Sequence, residues 1–347
     1  MKSRFIVLCS LFIMLAAMVT GVSAQTDVNC LGLNSDDCAI ISQATANTAN
    51  IQSFTQNFTF EFTVSGMAAM SGGSGPDSMS IKADGSGPFT FNPAATDPTA
   101  MFNMAMDING SVTGTGEDQS GSVSFVIVDG VIYAKDESGA WKGAPLAEIA
   151  ESFTQQMGAL TGGGMGGGDS SDPTAMLNNP AVAGLMGSAM NFDPVNIPGF
   201  ISQERQADAE LNGQRMIAFN YTADIGTLLQ SAEFQKLLSD ASAAAAQADP
   251  EAAQMAMMAP MFANMVSGNF NYTRWVGADD GFVNRIAITG DLNLDLSMMM
   301  GSSGGGAAMP PINLKLIMVI DLSNINNTAA PVAPAGATIG TMDDLMG

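Results

Sequence analysis

Residues 54–64 read FTQNFTFEFTV, and this stretch decides the fold class. Its apolar side chains share one parity: Phe54, Phe58, Phe60, Phe62 and Val64. Thr59, Glu61 and Thr63 occupy the other parity. Successive side chains of a β-strand point to opposite faces of a sheet. The stretch therefore predicts a strand with one buried face and one polar face.

Further short strands are predicted on both sides of a helical middle section. They cover residues 81–91, 101–112, 122–128, 131–135, 206–212, 214–222, 268–276, 282–296 and 312–322. Asp129-Gly130 and Asp279-Asp280-Gly281 are typical hairpin turns. Helices are predicted over residues 38–53, 145–160, 225–240 and 241–266. The pattern predicts an α+β fold, in which one large antiparallel sheet carries helices inserted between its two halves.

The composition excludes several classes of function. The chain of 347 residues contains no histidine, so it lacks the usual general base near neutral pH and the commonest metal ligand. Its net charge of −22 argues against nucleic acid or anionic lipid headgroups as surface partners, since both require a basic face. With 46% apolar residues, it is also unlike an acidic disordered chain.

The first residues predict export. Lys2 and Arg4 precede an apolar run over residues 5–19, and small residues follow up to Ala24. This order is typical of a secretory signal peptide, residues 1–24, cleaved after Ala24. A membrane anchor is the alternative, but the run is short for a span. Secretion or residence in the cell envelope is the expected location.

After removal of this segment, Cys30 and Cys38 are the two remaining cysteines. An even pair in an exported chain predicts a disulfide. Asp36 or Asp37 is then the expected N-cap of the following helix. A redox-active pair is the alternative, but the spacing is not C-x-x-C and no flanking cation would lower a thiol pKa.

Twenty-seven methionines are the most unusual feature of the composition. Any single methionine is most simply a core residue. Together, flexible thioethers also suit a cavity that accepts irregular apolar shapes. The pairing of Met clusters with His that is typical of copper sites is absent from the sequence, and no metal or other cofactor is expected. Glu148 and Glu151 are the candidate carboxylates for a hydrolase, although acids early in a helix also stabilise its dipole.

Several segments resemble the LolA/LppX-like family of lipoproteins and lipid carriers. Residues 126–142 (VIVDGVIYAKDESGAWK) are similar to its strand–turn–strand ending in Trp, and residues 210–229 (ELNGQRMIAFNYTADIGTLL) to its strand followed by a short helix. Residues 275–290 (WVGADDGFVNRIAITG) resemble its Trp-Val hairpin, with Ala278 where Asp is usual. Residues 321–337 (DLSNINNTAAPVAPAGA) are similar to its C-terminal segment.

This resemblance implies a half-barrel, in which helices cover the concave apolar face of a curved antiparallel sheet and enclose a hollow. Members of the family bind acyl chains there and carry or present them at the cell envelope, and none is known for catalysis. The chain departs from the family in lacking a lipobox cysteine and in a long glycine-rich insert. The expected domains are a lipid-binding domain over residues 25–327, with the helical insert at about 143–200, and a flexible tail over residues 328–347.

The sequence thus predicts a non-enzymatic, monomeric carrier or binding protein for lipid acyl chains or another hydrophobic small molecule, with transient contacts to the membrane or envelope proteins. The candidate cavity-lining residues are Phe58, Phe60, Phe62, Met104, Met106, Phe153, Met258 and Phe262. The alternative is a structural or interaction protein of the envelope with a filled core. A carboxylate hydrolase is a third hypothesis, for which Glu148, Glu151 and Asp224 would have to converge.

Overall fold

A computed structural model describes most of the chain outside the N-terminal segment and three longer internal stretches. The described residues are 30–69, 76–92, 94, 95, 97–114, 118–135, 139–148, 200–232, 234–236, 239, 265–295 and 311–341. The predicted signal peptide, most of the predicted glycine-rich insert and the last six residues lie outside them.

The described part is dominated by strands. These are β1 (Ser53–Ser65), β2 (Ser78–Phe91), β3 (Phe102–Thr113), β4 (Gln119–Val128), β5 (Val131–Lys135), β6 (Trp141–Pro145), β7 (Ile201–Arg205), β8 (Ala209–Leu211), β9 (Gln214–Asp224), β10 (Val266–Gly277), β11 (Val283–Leu294), β12 (Ile312–Ser323) and β13 (Thr338–Ile339). The α-helices are α1 (Ser35–Thr48) and α2 (Ile225–Gln230). Two short 3₁₀ turns, Met67–Ala69 and Pro98–Ala100, lie between strands.

All thirteen strands form one open, curved sheet, in the order β13-β6-β5-β4-β3-β2-β1-β12-β11-β10-β9-β7, with β8 paired to β9. Every pairing is antiparallel except that of β13 with β6. The two strand-rich halves of the sequence join where β1 pairs with β12. The predicted α+β fold, a large curved antiparallel sheet, is confirmed.

The alternation in β1 defines the two faces of the sheet. Its even residues, from Phe54 to Val64, point to the concave face, and its odd residues point to the outer face. Residues paired across strands share a face, so the register extends this assignment across the sheet. The largest buried cluster lies on the concave face and contains Phe54, Phe58, Phe89, Met104, Met106, Ile108, Phe125, Ile127, Met318 and Ile320.

Two-residue turns set the register of two hairpins. Asp129 and Gly130 join β4 to β5 with φ of 51° and 77°. Asn212 and Gly213 join β8 to β9 with φ of 51° and 79°. Positive φ at both central residues is the type I′ geometry, which matches the twist of the flanking strands and favours Asp or Asn followed by Gly. The turn predicted at Asp129-Gly130 is confirmed.

Helix α1 covers the concave face at the β9–β10 end of the sheet. Ile41 and Ala44 pack against Phe219 and its apolar neighbours. The structure contains the predicted disulfide between Cys30 and Cys38. The predicted cap is wrong, because the Asn34 side chain accepts hydrogen bonds from the backbone N–H groups of residues 36 and 37 at 3.0 and 2.9 Å. The helix therefore begins at Ser35, before the predicted Cys38.

The described part of the C-terminal segment contacts the sheet at two places. The Thr328 backbone N–H donates to Ser53 Oγ at 3.2 Å, and β13 pairs with β6. The flexibility expected for residues 328–347 stays a prediction. Within the described ranges, no helix is long and apolar enough to cross a membrane.

Candidate functional site

A continuous row of mostly apolar residues crosses the concave face, and we call it the apolar row. It runs through eight paired strands and consists of Val112, Ile81, Phe62, Leu316, Gly290, Phe270, Ala223 and Ile201. All of its members except Gly290 are half-buried. The Phe270 ring lies over Gly290, where an added Cβ would stand 2.5 Å from ring atom Cε1. The apolar row therefore offers apolar area that the fold has not fully covered.

The neighbouring row on the same face changes from apolar to polar along its length, and we call it the mixed row. Its members are Gly110, Ala83, Phe60, Met318, Ile288, Tyr272, Tyr221 and Gln203. Ala83, Phe60, Met318 and Ile288 belong to or pack against the buried cluster. With neighbouring strands about 4.8 Å apart, the four steps from Phe60 to Tyr221 span roughly 19 Å. One end of an elongated molecule on this row would meet hydrocarbon and the other would meet polar groups.

The polar end of the mixed row contains a cation. Arg274 lies on β10 on the concave face, two residues from Tyr272. Its guanidinium carbon is 4.7 Å from the Tyr221 ring centroid and 5.7 Å from that of Tyr272, within the range of cation–π contacts. Arg274 Nη2 donates a hydrogen bond to the Tyr221 hydroxyl oxygen. We refer to Gln203, Tyr221, Tyr272 and Arg274 as the polar cluster.

Gln203 completes this cluster from strand β7. Its Nε2 donates to the Tyr221 hydroxyl oxygen at 2.6 Å. Its Oε1 is buried and has no hydrogen-bond partner in the described structure. A buried amide oxygen without a donor costs about 1–3 kcal/mol, so native structures rarely leave one unpaired.

Burial raises the pKa of both phenols in the polar cluster, and the nearby Arg274 charge opposes the shift without cancelling it. Tyr221 and Tyr272 are therefore protonated at neutral pH. The Tyr221 oxygen accepts from both Gln203 and Arg274, so its own O–H remains as a donor. The cluster thus combines guanidinium and hydroxyl donors with one unpaired carbonyl acceptor.

An ion pair beside the polar cluster holds α1 on the sheet. The Asp37 carboxylate on the helix accepts from Arg205 Nη1 on β7 at 2.6 Å, and its side chain is 5% exposed. Arg205 also reaches Asp208 at 2.9 Å, and this contact raises the pKa of Arg205 and lowers that of Asp208. The guanidinium group of Arg205 is therefore paired with a carboxylate of the fold itself.

The sequence-predicted lining residues divide into three groups. Phe58, Met104 and Met106 are at most 6% exposed and pack inside the buried cluster. Phe60 and Phe62 are half-buried members of the two rows. Phe153, Met258 and Phe262 lie outside the described residues. The structure brings the first five to one face, and contact of any of them with a ligand stays a prediction.

The candidate carboxylates do not form a described site. Asp224 caps α2, because its Oδ1 accepts from the Thr227 backbone N–H at 3.0 Å. Glu151 lies outside the described residues. In the part of the chain that the structure describes, no cluster of three Cys, Asp or Glu side chains has the arrangement of a metal site.

The sequence interpretation missed the polar cluster, although one signal for it was present. In β10, Phe270, Tyr272 and Arg274 share one parity. An arginine at a position of the buried parity is unusual, since Arg is seldom buried unless paired. The hydrogen bonds of Gln203 had no such signal, because they depend on the pairing of β7 with β9.

No protein-family model and no curated protein matches the chain. Among solved structures, it is similar to LprF from Mycobacterium bovis, with 13% identity, coverage of 85% of this chain and 93% of that chain, and a TM-score of 0.33. It is also similar to the lipoprotein LppX from Mycobacterium tuberculosis, with 11% identity, coverage of 85% and 96%, and a TM-score of 0.26.

An outer membrane lipoprotein-sorting protein domain from Vibrio parahaemolyticus shows 7% identity, coverage of 80% of this chain and 87% of that chain, and a TM-score of 0.14. At these identities and TM-scores, the likeness supports no conclusion about a ligand or an activity. One of these structures, LppX, is among the proteins that give their names to the family that the sequence motifs resemble.

Proposed function

We propose that the protein is an exported, non-enzymatic carrier or binding protein for a lipid or another hydrophobic ligand, which lies on the concave face of the sheet. The observation that supports this proposal is the apolar row, whose half-buried apolar side chains come from seven of the eight strands that it crosses. A contiguous apolar surface that a fold leaves accessible is typical of a binding site.

Hydrophobic burial supplies the affinity in this proposal. Each Å² of apolar surface removed from water contributes about 25 cal/mol, and the cost of ordering the ligand and the protein offsets part of that gain. The disulfide Cys30–Cys38 agrees with an oxidising, extracytoplasmic compartment.

The buried cluster favours a second candidate, a structural or interaction protein of the envelope with a filled core. Phe58, Met104 and Met106 already pack against other side chains and leave almost no free area. This candidate requires the half-buried rows to pack only against the protein itself, or against another macromolecule. It predicts that small hydrophobic probes do not bind.

Substitution of neighbouring residues on β12 tests the proposal. Leu316 lies in the apolar row on the concave face. Ile317 points to the opposite, outer face and is also half-buried. Leu316→Asp places a charge in the proposed site, and we expect it to weaken binding of a fluorescent fatty acid by at least about tenfold, because a buried unpaired charge is strongly disfavoured. Ile317→Asp is the matched control and should bind like the unsubstituted protein.

Thermal unfolding of both variants checks that the fold is retained. Equal weakening by both substitutions, or no uptake of the probe by the unsubstituted protein, would contradict the carrier proposal and favour the filled-core alternative.

A further inference from the structure

Arg274 is the exception among the described arginines. Arg285 forms two contacts with Asp321, at 2.5 and 2.9 Å, on the outer face. Arg205 pairs with Asp37 and Asp208, and Arg215 pairs with Asp208 at 3.0 Å. Within the described ranges, Arg274 has no carboxylate at ion-pair distance, although the chain carries 33 acidic residues.

The surroundings of Arg274 make this exception costly. Its cross-strand neighbours are Phe219 on β9 and Ile286 on β11, and Phe219 is fully buried. A charge placed among apolar side chains loses hydration, and the two aromatic rings beside it restore only part of that loss. Arg274 is half-buried, and its contacts with Tyr221 and Tyr272 compensate for this loss only in part, whereas an apolar residue at this position would avoid it.

Gln203 provides an independent sign of an incomplete site. It is 8% exposed, and its Oε1 lacks a donor in the described structure, while its Nε2 is held by the Tyr221 hydroxyl group. Within the described residues, a cation without a carboxylate partner and an acceptor without a donor therefore lie on either side of one phenol. A head group with a negatively charged oxygen would pair with Arg274, and a hydroxyl beside that oxygen would donate to Gln203.

We infer that the polar cluster binds the oxyanion head group, a carboxylate or a phosphate, of a lipid whose acyl chain lies along the apolar part of the mixed row. This inference rests on the proposed function and specifies the chemistry of the ligand. The strand register supports this placement most directly, because Ile288, Met318 and Phe60 follow the polar cluster along the mixed row.

The acidity of the whole chain explains why such a site needs a cation on the inner face. A net charge of −22 repels anions in solution, but salt screens this repulsion beyond about 8 Å at physiological ionic strength. Once the head group leaves bulk water, the nearby guanidinium dominates the local field. The outer surface therefore discourages anionic membranes, while the concave face accepts a single anionic lipid.

Displacement of the neutral hydrophobic dye N-phenyl-1-naphthylamine from the full mature chain tests this inference. Palmitate, a lysophosphatidic acid and hexadecanol serve as competitors, so the head group varies while the chain remains long and apolar. We expect the two anionic lipids to displace the dye more strongly than hexadecanol does. The stronger of the two distinguishes a carboxylate from a phosphate ligand.

Arg274→Met should weaken binding of the preferred anionic lipid by about 10- to 100-fold, the range for loss of a hydrogen bond to a charged group, and leave hexadecanol unchanged. Arg215→Met removes the same charge from an exposed side chain of the same sheet and should have no effect. Gln203→Leu is a second variant, which retains the charge of Arg274 and should weaken the lysophosphatidic acid, with its hydroxyl, more than palmitate.

Equal binding of anionic and neutral lipids by the unsubstituted protein would overturn the head-group assignment and leave the carrier proposal intact. The same holds if Arg274→Met or Gln203→Leu weakens every competitor alike. If neither the dye nor any lipid binds, the carrier proposal itself fails, and the assignment fails with it.

Discussion

The two halves of the concave face differ in the kind of side chain that they bury. In the half around β1–β5, aromatic and aliphatic side chains pack against one another, with Phe54 stacked on Phe89 at 4.9 Å and Phe89 on Phe102 at 5.6 Å between centroids. In the half around β7–β10, the same face carries Arg274 and Gln203. Burial of polar groups costs free energy unless they are fully paired, and among the described residues Arg274 has no carboxylate partner and Gln203 Oε1 has no donor. The first half therefore contributes mainly packing, whereas the second is the better candidate for binding a polar head group.

The largest expected effect separates these two roles directly. Phe125 is 3% exposed in the buried cluster, and Phe125→Ala should lower the free energy of unfolding by about 3–5 kcal/mol. Arg274→Met should change it by less than about 1 kcal/mol, since loss of the contacts with Tyr221 and Tyr272 is offset by removal of a half-buried charge that has no carboxylate partner within the described ranges. Denaturant unfolding measures both values. A loss from Arg274→Met as large as that from Phe125→Ala would make Arg274 a structural residue.

The disulfide should contribute less to the free energy of unfolding than a large core side chain does, but more than any single surface contact. Cys30 and Cys38 are 8 residues apart, and a loop of this size contributes about 2–3 kcal/mol by restricting the unfolded chain. The paired substitution Cys30→Ser with Cys38→Ser should lower the stability of the unreduced protein by this amount. Reducing agent should destabilise the unsubstituted protein and leave the variant unchanged. A variant that still responds to reductant would contradict this assignment.

Both halves place an aromatic ring over a glycine of the neighbouring strand, and this shared device sharpens the comparison. Phe58 lies over Gly85, and Phe270 lies over Gly290. Gly85→Val should cost about 1–3 kcal/mol, because an added Cβ would stand 2.6 Å from the buried Phe58 ring and 2.8 Å from the Asp107 carbonyl oxygen, and neither can move without disturbing the core. Gly290→Val should cost less, because the Phe270 ring that an added Cβ would meet is only half-buried.

Thermal melts of the two valine variants test this difference, with Thr289→Val on the outer face as a control. Equal losses at the two glycines would show that the β10–β11 region is as tightly packed as the core, which would count against a binding site there.

The smallest expected effect is a change in the alkaline limb of the stability curve. Burial raises the pKa of Tyr272 above its ordinary value of 10.0. As the pH rises past about 10, the unfolded chain ionises this phenol first, so the stabilisation is lost between that pH and the higher folded-state pKa. Tyr272→Phe should therefore flatten the decline of unfolding free energy above about pH 10. Parallel curves for the variant and the unsubstituted protein would contradict a buried phenol.

Local sequence patterns predict much of this fold and little of the candidate site. Strand β1 and the turn at Asp129-Gly130 follow from side-chain alternation and from backbone preferences, which are local properties. The pairing of β1 with β12 joins Phe58 to Ile320, far apart in the chain, and no local pattern specifies it. The predicted N-cap of α1 was wrong for a related reason. Asn34, Asp36 and Asp37 are all favourable N-cap residues, and only the folded geometry selects among them.

Native mass spectrometry of the mature protein, purified without detergent, tests the central claim most directly. If the concave face holds a lipid, the protein should carry one or more bound masses, released on unfolding and identified as amphiphiles, and Leu316→Asp should lose them while Ile317→Asp keeps them. A single unliganded mass for the purified protein, with no bound species after incubation with palmitate or hexadecanol, would contradict the account.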